Sequence, residues 1–539
     1  MEHSNTSVEI LSGIRHLKKI SNLIQTTSSF HDDTGLGGGK FIWIQYADQS
    51  QHLKRGANGG ILYSDSAFDL YDGTPETIEH FLDWKGSGFG CFERLDIDVP
   101  HVLMFGAVPD YDSVSRKGTD NALAFNKMLQ HFSICDFGGN YNFLINDSIR
   151  PNKKFSLNGK GATLCQRNRF KPLFDLNGCS GATLIQGCYT NDAKIDEYKL
   201  DNARLIYADQ HVSDITIDKV IVRDTFQQGI NFDHSSERIK ILSCHIERTA
   251  RDGVFLLNSV DSCVLCSMFI NTGDDAIAFA GESFRAVASY NTIKGAGSYN
   301  LGGSGIRFNR SGTALSNVIE NSDLFGIIAA ENSANMLARP EDLLIIGNTI
   351  KGINKINTVT AAIGFKNVIS VDCVDNDIEI LNEGAHAYRI YGDVKSGVVT
   401  ISGGGVKNAK SVLYIRDAGV AKVSVSNLTS FDSSDFILAE LDGNIDLIEL
   451  EGNVSGNTKN ACYLRTIEVK SQKEALITAI VTKNNSIIGV CAPEFLLDDN
   501  VVIKILQSTN DHWTTDKNED GVKIIRKSKF YTEGDLAQL

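Results

Sequence analysis

Three carboxylates carry the first chemical signal in this sequence. Asp274 and Asp275 stand side by side in FINTGDDAIAFAG (269–281), and Asp252 precedes Asp274 by 22 residues in TARDGVFLLNS. Charges inside such alternating apolar runs are costly unless they are paired or neutralised. Like charges held this closely cannot all ionise, so at least one carboxyl should keep its proton toward neutral pH. One protonated and one ionised carboxyl is the pairing that glycoside hydrolysis uses. The competing reading is turn chemistry, in which each Asp bonds to local N–H groups. Alignment with Asp252 one repeat earlier favours catalysis.

The elements that must position these residues form a repeat. In QGINFD, DGVFLL, DAIAFA, SGIRFN, FGIIAA, AAIGFK, HAYRIY, KSVLYI, SDFILA and NACYLR, a small residue precedes an apolar-x-apolar triplet. The inward pairs are Ile230/Phe232, Val254/Leu256, Ile277/Phe279, Ile306/Phe308, Ile327/Ala329, Ile363/Phe365, Tyr388/Ile390, Val412/Tyr414, Phe436/Leu438 and Cys462/Leu464. Their spacings of 24, 23, 29, 21, 36, 25, 24, 24 and 26 residues describe a solenoid with one alternating strand in each copy. The expected fold is an all-β, right-handed parallel β-helix. Leucine-rich repeats would show a leucine ladder and a fixed asparagine, and neither is present.

Register supports the carboxylate reading. Asp252 and Asp275 both lie two residues before an inward residue, Val254 or Ile277, so stacked coils place their backbones about 4.8 Å apart. Strict alternation aims them inward, but the small Gly253 and Ala276 allow a bend that turns them out. Asp274, after Gly273, joins the same patch. The long spacings of 29 and 36 residues mark loops around the coil of Ile306, where a cleft is expected.

Residues 1–100 lack the period and form an N-terminal module; the β-helix is expected over 101–470 and a small β-rich domain over 475–539. Near 119–131 the pattern predicts an amphipathic helix that covers the open end of the solenoid. Thr119 or Asp120 would be its N-cap, and Ala122, Phe125 and Leu129 its buried face.

A net charge of −14 and the lack of a Lys/Arg-rich run exclude nucleic acid as a partner. The eleven scattered cysteines fit a reducing cytoplasm better than a disulfide framework. No signal-peptide core is expected at the N-terminus, and no stretch is long enough to span a bilayer. Cys263 and Cys266 have CxxC spacing without a second pair, so core packing is expected for them. GLGGGK (35–40) lacks the Ser/Thr of a phosphate loop and reads as a turn.

FGAVPDYDSVSRKGTDNALAFNKML (105–129) resembles the entry segment of the pectate lyase-like β-helix superfamily, and HDDTGLGGGKFIW (31–43) with this downstream FGA resembles bacteriophage tailspikes. The resemblance covers about residues 30–470. It implies a homotrimeric virion protein, assembled in the host cytoplasm, that meets other phage tail proteins through its N-terminal region. Its partner would be a bacterial surface polysaccharide, capsule or O-antigen, which it binds and hydrolyses. A polysaccharide lyase and a non-catalytic adhesin are the alternatives.

TARDG followed by NTGDD further resembles the aspartate segments of polygalacturonase-type glycoside hydrolases. By matching position, Asp275 is the general acid, while Asp252 and Asp274 activate water. That family's Gly-His-Gly is replaced by Gly303-Ser304-Gly305 or Gly295-Ala296-Gly297, and its Arg-Ile-Lys by Arg307-Phe308-Asn309. Arg251, Arg307 and Asn309 are the candidate substrate-binding residues. Arg307 would either grip an acidic sugar or pair with Asp274 or Asp275. The resemblance implies inversion of configuration, whereas a carboxylate separation near 5 Å suggests retention. No metal or cofactor is required. Glu320, Asp323 and Glu331 are the rival carboxylates for a site shared between chains.

Overall fold

The computed structural model describes residues 6–8, 23–28, 37–45, 62–64, 90–95, 97, 99–151, 153–194, 204–299, 302–331, 339–353, 360–381, 384–456, 465–488, 494–509, 512–513 and 523–526. The chain divides into two compact units, Met1–Gln227 and Gln228–Leu539.

The first unit opens with a five-stranded sheet formed by Thr6–Val8, Leu23–Ser28, Gly37–Gln45, Gly90–Arg94 and Leu62–Ser64. Gly37–Lys40 belongs to a strand here and not to a turn. The Arg94 guanidinium lies 4.5 Å over the Phe41 ring and donates to the carbonyls of Gly38 (2.7 Å) and Gly37 (2.8 Å), so the glycines clear a seat for that side chain. Gly35 and Leu36 lie outside the described residues.

The expected capping helix spans Ala122–His131, with Ala122, Phe125 and Leu129 buried. Phe125 meets Phe137 and Phe143 edge-on at 5.0 and 5.5 Å, which seats the helix on the first strands of the solenoid. Its N-cap is Asn121, displaced from the expected Thr119 or Asp120. The Asn121 amide is spent on Val108 and Leu144, while Asp120 Oδ1 accepts the N–H of Ala122 at 3.1 Å.

In the second unit each coil supplies three short strands, and successive coils pair in parallel. Val254 faces Ile277, Cys263 faces Val287 and Met268 faces Thr292. The triplet pairs from Ile230/Phe232 to Tyr388/Ile390 point inward and are fully buried. Phe279 stacks on Phe308 at 5.3 Å, one coil on the next. Many corners that carry no glycine are turned by left-handed Asn, Asp or Ser, such as Asn258, Asn271, Ser316 and Asn321. This is one reason Asn and Ser crowd between the apolar pairs. A second is an amide ladder. The Nδ2 groups of Asn291, Asn317 and Asn348 each donate to the Oδ1 of the next coil's Asn at 3.0, 2.9 and 2.9 Å, ending on Asn376.

Two expected pairs are corrected by one residue. Tyr388 and Ile390 stack on Leu413 and Ile415, not on Val412 and Tyr414; these in turn stack on Ile437 and Ala439, not on Phe436 and Leu438. A one-residue slip exchanges the two faces of a strand. Tyr414 therefore points out, stacks on His386 at 4.2 Å and donates its hydroxyl to Glu440 at 2.5 Å. Cys462 and Leu464 lie outside the described residues.

Near the end of the solenoid the strands lengthen to Ser411–Ser426 and Asp435–Glu451, running on past the corner that earlier coils turn. Among the described residues after 475, the strands Ala475–Lys483 and Val501–Thr509 extend the parallel pairing of the coils. The cysteine expectation is corrected: Cys266 is exposed at a left-handed corner and Cys263 is half-buried, flanking inward Val264.

Candidate active site

The carboxylates sit where one ladder of strands hands over to the next. Thr249 and Thr272 stack in register at the ends of their strands, and each hydroxyl donates to the carbonyl two residues on, Arg251 (2.7 Å) and Asp274 (3.1 Å). This repeated turn presents Arg251-Asp252 on one coil and Asp274-Asp275 on the next. Gly253 N–H donates to Asp275 O at 3.0 Å, which confirms the shared register of Asp252 and Asp275. A Cβ on Gly253 would meet Ala276 O and the Phe269 ring, so the close approach of the two coils requires glycine there.

Asp252, Asp274 and Asp275 each bring a carboxylate oxygen within 4.8 Å of the others. Asp252 and Asp275 are buried, 2% and 1% exposed, while the Asp274 side chain keeps 21% of its surface open. Burial, followed by the charges of Asp274 and Asp275, pushes the Asp252 carboxyl far above the usual range. Asp275 is pushed up to about 6 by burial, against the opposing pull of Arg307.

Arg307 faces this cluster from the following coil. Its Nε lies 2.8 Å from Asp275 Oδ2, a charge contact outside hydrogen-bond alignment, and its side chain stays 37% exposed. The ion pair expected as one alternative for Arg307 is made with Asp275. Arg251 stands 3.9 Å from Asp274 Oδ2. Asn309 is not part of the cluster: its Oδ1 accepts from Gly281 N at 3.1 Å and its Nδ2 donates to Ala330 O at 2.5 Å, tying three coils together.

The segment that stands in for the missing Gly-His-Gly supplies backbone groups. Ser304 N donates to Asp275 Oδ1 at 2.8 Å, and Gly297 N to the Asp274 carbonyl at 3.1 Å. Gly303 lies so close to Asp274 that a Cβ would overlap its carbonyl. The loop of the 29-residue spacing thus reaches the cluster. Parts of the 36-residue spacing, 332–338 and 354–359, lie outside the described residues. Gln228, buried one coil before Asp252, places Nε2 3.4 Å from its Oδ2. Neither Ser304 nor Gln228 was expected, although the glycines flanking Ser304 were a usable sign of close packing.

Among the described residues these three carboxylates form the one group of three or more side chains spaced to share a cation. The guanidinium of Arg307 already supplies positive charge beside Asp275. Two rival carboxylates are engaged elsewhere. Glu320 pairs with Lys294 at 3.1 Å, and buried Glu331 meets Lys366 at 3.8 Å and the Asn367 amide. Asp323 takes its backbone N–H to Ala296 O at 2.8 Å.

No family model matches this sequence, and no curated protein does. Solved structures do share its fold. Full-length tailspike protein 2 of an Escherichia coli O157:H7 bacteriophage superposes with a TM-score of 0.51 at 15% identity, covering 71% of this chain and 49% of its own. The enzymatically active domain of bacteriophage CBA120 tailspike protein 2 gives 0.51 at 14% identity, covering 74% of this chain and 57% of its own. A GH87 α-1,3-glucanase from Streptomyces thermodiastaticus gives 0.46 at 16% identity, covering 79% and 72%. This chain spans about half the length of the full tailspike. The likeness to tailspikes drawn from the sequence holds at the level of the fold.

Proposed function

We propose that this β-helical chain is a tailspike-type depolymerase that hydrolyses glycosidic bonds in a bacterial surface polysaccharide, capsule or O-antigen. The observation that carries the reading is the cluster of three carboxylates on adjacent coils, two of them buried with raised affinity for protons. A turn needs neither the burial of Asp252 and Asp275 nor their gathering with Asp274 into one patch. Keeping like charges together out of water is costly, and catalysis by a proton held near neutral pH gives that cost a use. The fold shared with a tailspike's enzymatically active domain supports the same reading.

Asp275 supplies the proton to the departing sugar oxygen. Its pKa of about 6 suits a general acid working near neutrality, and Arg307 receives the carboxylate when the proton leaves. Asp274, the member open to solvent, orients the attacking water. Asp252, buried beside Asp274, has its proton affinity raised by burial and by the charges of Asp274 and Asp275, and it shares with Asp274 the water-activating part that the family likeness implies.

Incubation with a panel of purified capsular and O-antigen polysaccharides tests the reading. Falling polymer mass with new reducing ends and no unsaturated uronate is the expected result. Unsaturated product would make the chain a lyase, and binding without cleavage an adhesin. The tailspike reading also carries a homotrimer in the virion tail, attached through residues 1–100. Light scattering that gives a monomer would sink that part.

A further inference from the structure

One corner of the coils in the second unit is uncharged, apolar and open. It lies where the second strand of each coil passes to the third, in Leu265-Cys266-Ser267-Met268, Ser289-Tyr290-Asn291-Thr292, Leu315-Ser316-Asn317-Val318 and Ile346-Gly347-Asn348-Thr349. Leu265, Ser289, Leu315 and Ile346 stack in one column, and Met268, Thr292, Val318 and Thr349 in the next. At about 4.8 Å per coil, the four corners make a ridge roughly 15 Å long. None of its positions carries a charge, although 22% of the chain is charged, and Asp375 and Asp377 end it on the following coil. Met268, Tyr290 and Val318 are 39%, 60% and 38% exposed. The amide column of Asn291, Asn317 and Asn348 runs through the same corners and fixes the ridge from within.

Tyr290 is the costly member of the ridge. Its φ of 57° is left-handed, a conformation that other coils give at the same corner to Ser243, Ser316, Gly347, Asp375 and Asn427. Gly, Asn and Asp bear that backbone readily, whereas a bulky ring does not. The Tyr290 side chain makes no hydrogen bond or ring contact with the described residues. Backbone strain and exposed apolar surface at one residue, with no return inside its own chain, point to a contact outside it.

We propose that this ridge is the surface on which copies of the chain meet, with Tyr290 as its anchor. The number of copies, three, rests on the homotrimer reading; the choice of surface rests on the ridge itself. Around a rotation axis that runs along the solenoids, a residue near the axis meets its own image at the same height. A charge there would face a like charge, so a contact between copies needs the uncharged strip that is present. Each chain carries a net charge of −14, and copies approach most easily where neither presents any of it. A foreign partner is steered and selected by complementary charge, and this strip offers none. The carboxylate cluster stands at another corner, where the third strand of one coil passes to the first of the next. Copies joined at the ridge therefore leave each cluster open and complete within its own chain.

Light scattering of the full chain over a dilution series tests the proposal, with wild type expected as a trimer. Asn suits the left-handed backbone better than Tyr, so Tyr290→Asn should fold as wild type does while its trimer dissociates at about tenfold or higher concentration, the worth of a lost interface aromatic. Val318→Asp sets like charges at one height and should give monomers. A second readout needs no variant: Cys266, exposed on the ridge of the single chain, should resist alkylation in the trimer and react on dilution, as peptide mass analysis reads. A monomeric wild type overturns both the homotrimer and the ridge. A wild-type trimer that either variant leaves intact, or in which Cys266 reacts at the rate of the dilute chain, overturns the ridge alone. Loss of polysaccharide binding in a Tyr290→Asn chain that stays trimeric would give the ridge to the glycan and likewise overturn the contact between copies.

Discussion

Two columns of polar side chains run along the coils of the second unit, and they behave in opposite ways. Asn291, Asn317, Asn348 and Asn376 form a column in which each amide both donates and accepts, so every rung satisfies the one before it. Asp252 and Asp275 stack by the same one-coil step, but carboxylates only accept, and each added charge makes the next less favourable. The same scaffold geometry gives cohesion with amides and frustration with acids. The fold tolerates both, and only the second column is left with protons to exchange.

Exchanging an acid for an amide gives the sharpest break in this contrast. Asp275→Asn should lose about 10² to 10⁴ in depolymerisation rate, the usual worth of a positioned acid, while still binding polymer. A variant of wild-type rate removes Asp275 from the role of acid.

The next effect is on stability against pH. A carboxyl whose folded pKa lies above its unfolded value binds protons more tightly when folded. It costs nothing below the unfolded pKa, and its cost grows as pH rises through the folded one. For Asp275 the window runs from about 4 to about 6, and a shift of two pKa units is worth roughly 3 kcal/mol before coupling within the set is considered. Unfolding temperature should therefore fall across that window in wild type and fall less in Asp275→Asn. Parallel curves would show that Asp275 is not the group that titrates.

The amide column should break in the opposite sense. Asn317→Ala strands the amide of Asn291 and opens the Asn348 side of the ladder, with an expected loss of about 1–3 kcal/mol in stability and an unchanged catalytic rate per folded chain. Chemical denaturation alongside a rate measurement separates the two. The smallest effect concerns Arg307. Because Arg307 favours the ionised form of Asp275, Arg307→Gln should raise the pKa of the acid and move the alkaline limb of the pH–rate profile upward. A limb that stays in place would place Arg307 outside the proton's environment.

The repeat was legible in the sequence because most inward pairs from Ile230 to Ile390 enclose one small or polar residue, Phe255 and Ile328 excepted, and the recurring period carries the register across those two. At Val412–Ile415 and Phe436–Ala439 consecutive apolar residues make two registers equivalent in pattern, and both faces of these strands are buried, so alternation carries no information there. The stacking of Asp252 on Asp275 was legible for the same reason as the core. The contacts of Ser304 and Gly303 were not, because they are made by backbone in a loop without a period. Asn309 read as an open binding residue although its amide is consumed between coils. The amide column had a readable sign that the triplets obscured: Asn291, Asn317, Asn348 and Asn376 each precede an inward isoleucine by two residues.

The long strands Ser411–Ser426 and Asp435–Glu451 bear on how such a molecule can change. Where a coil turns a corner, the chain can leave the stack and return, so inserted segments of different length can be accommodated without disturbing the ladder. A strand that runs past the corner has a narrower remedy: the extra residue of Asp435–Glu451 is taken up by a bulge opposite Asp417–Gly419, and pairing resumes one residue on. Changes of length at this end of the solenoid are absorbed within the strand, one residue at a time. The earlier coils remain the place where whole new surfaces can be grafted.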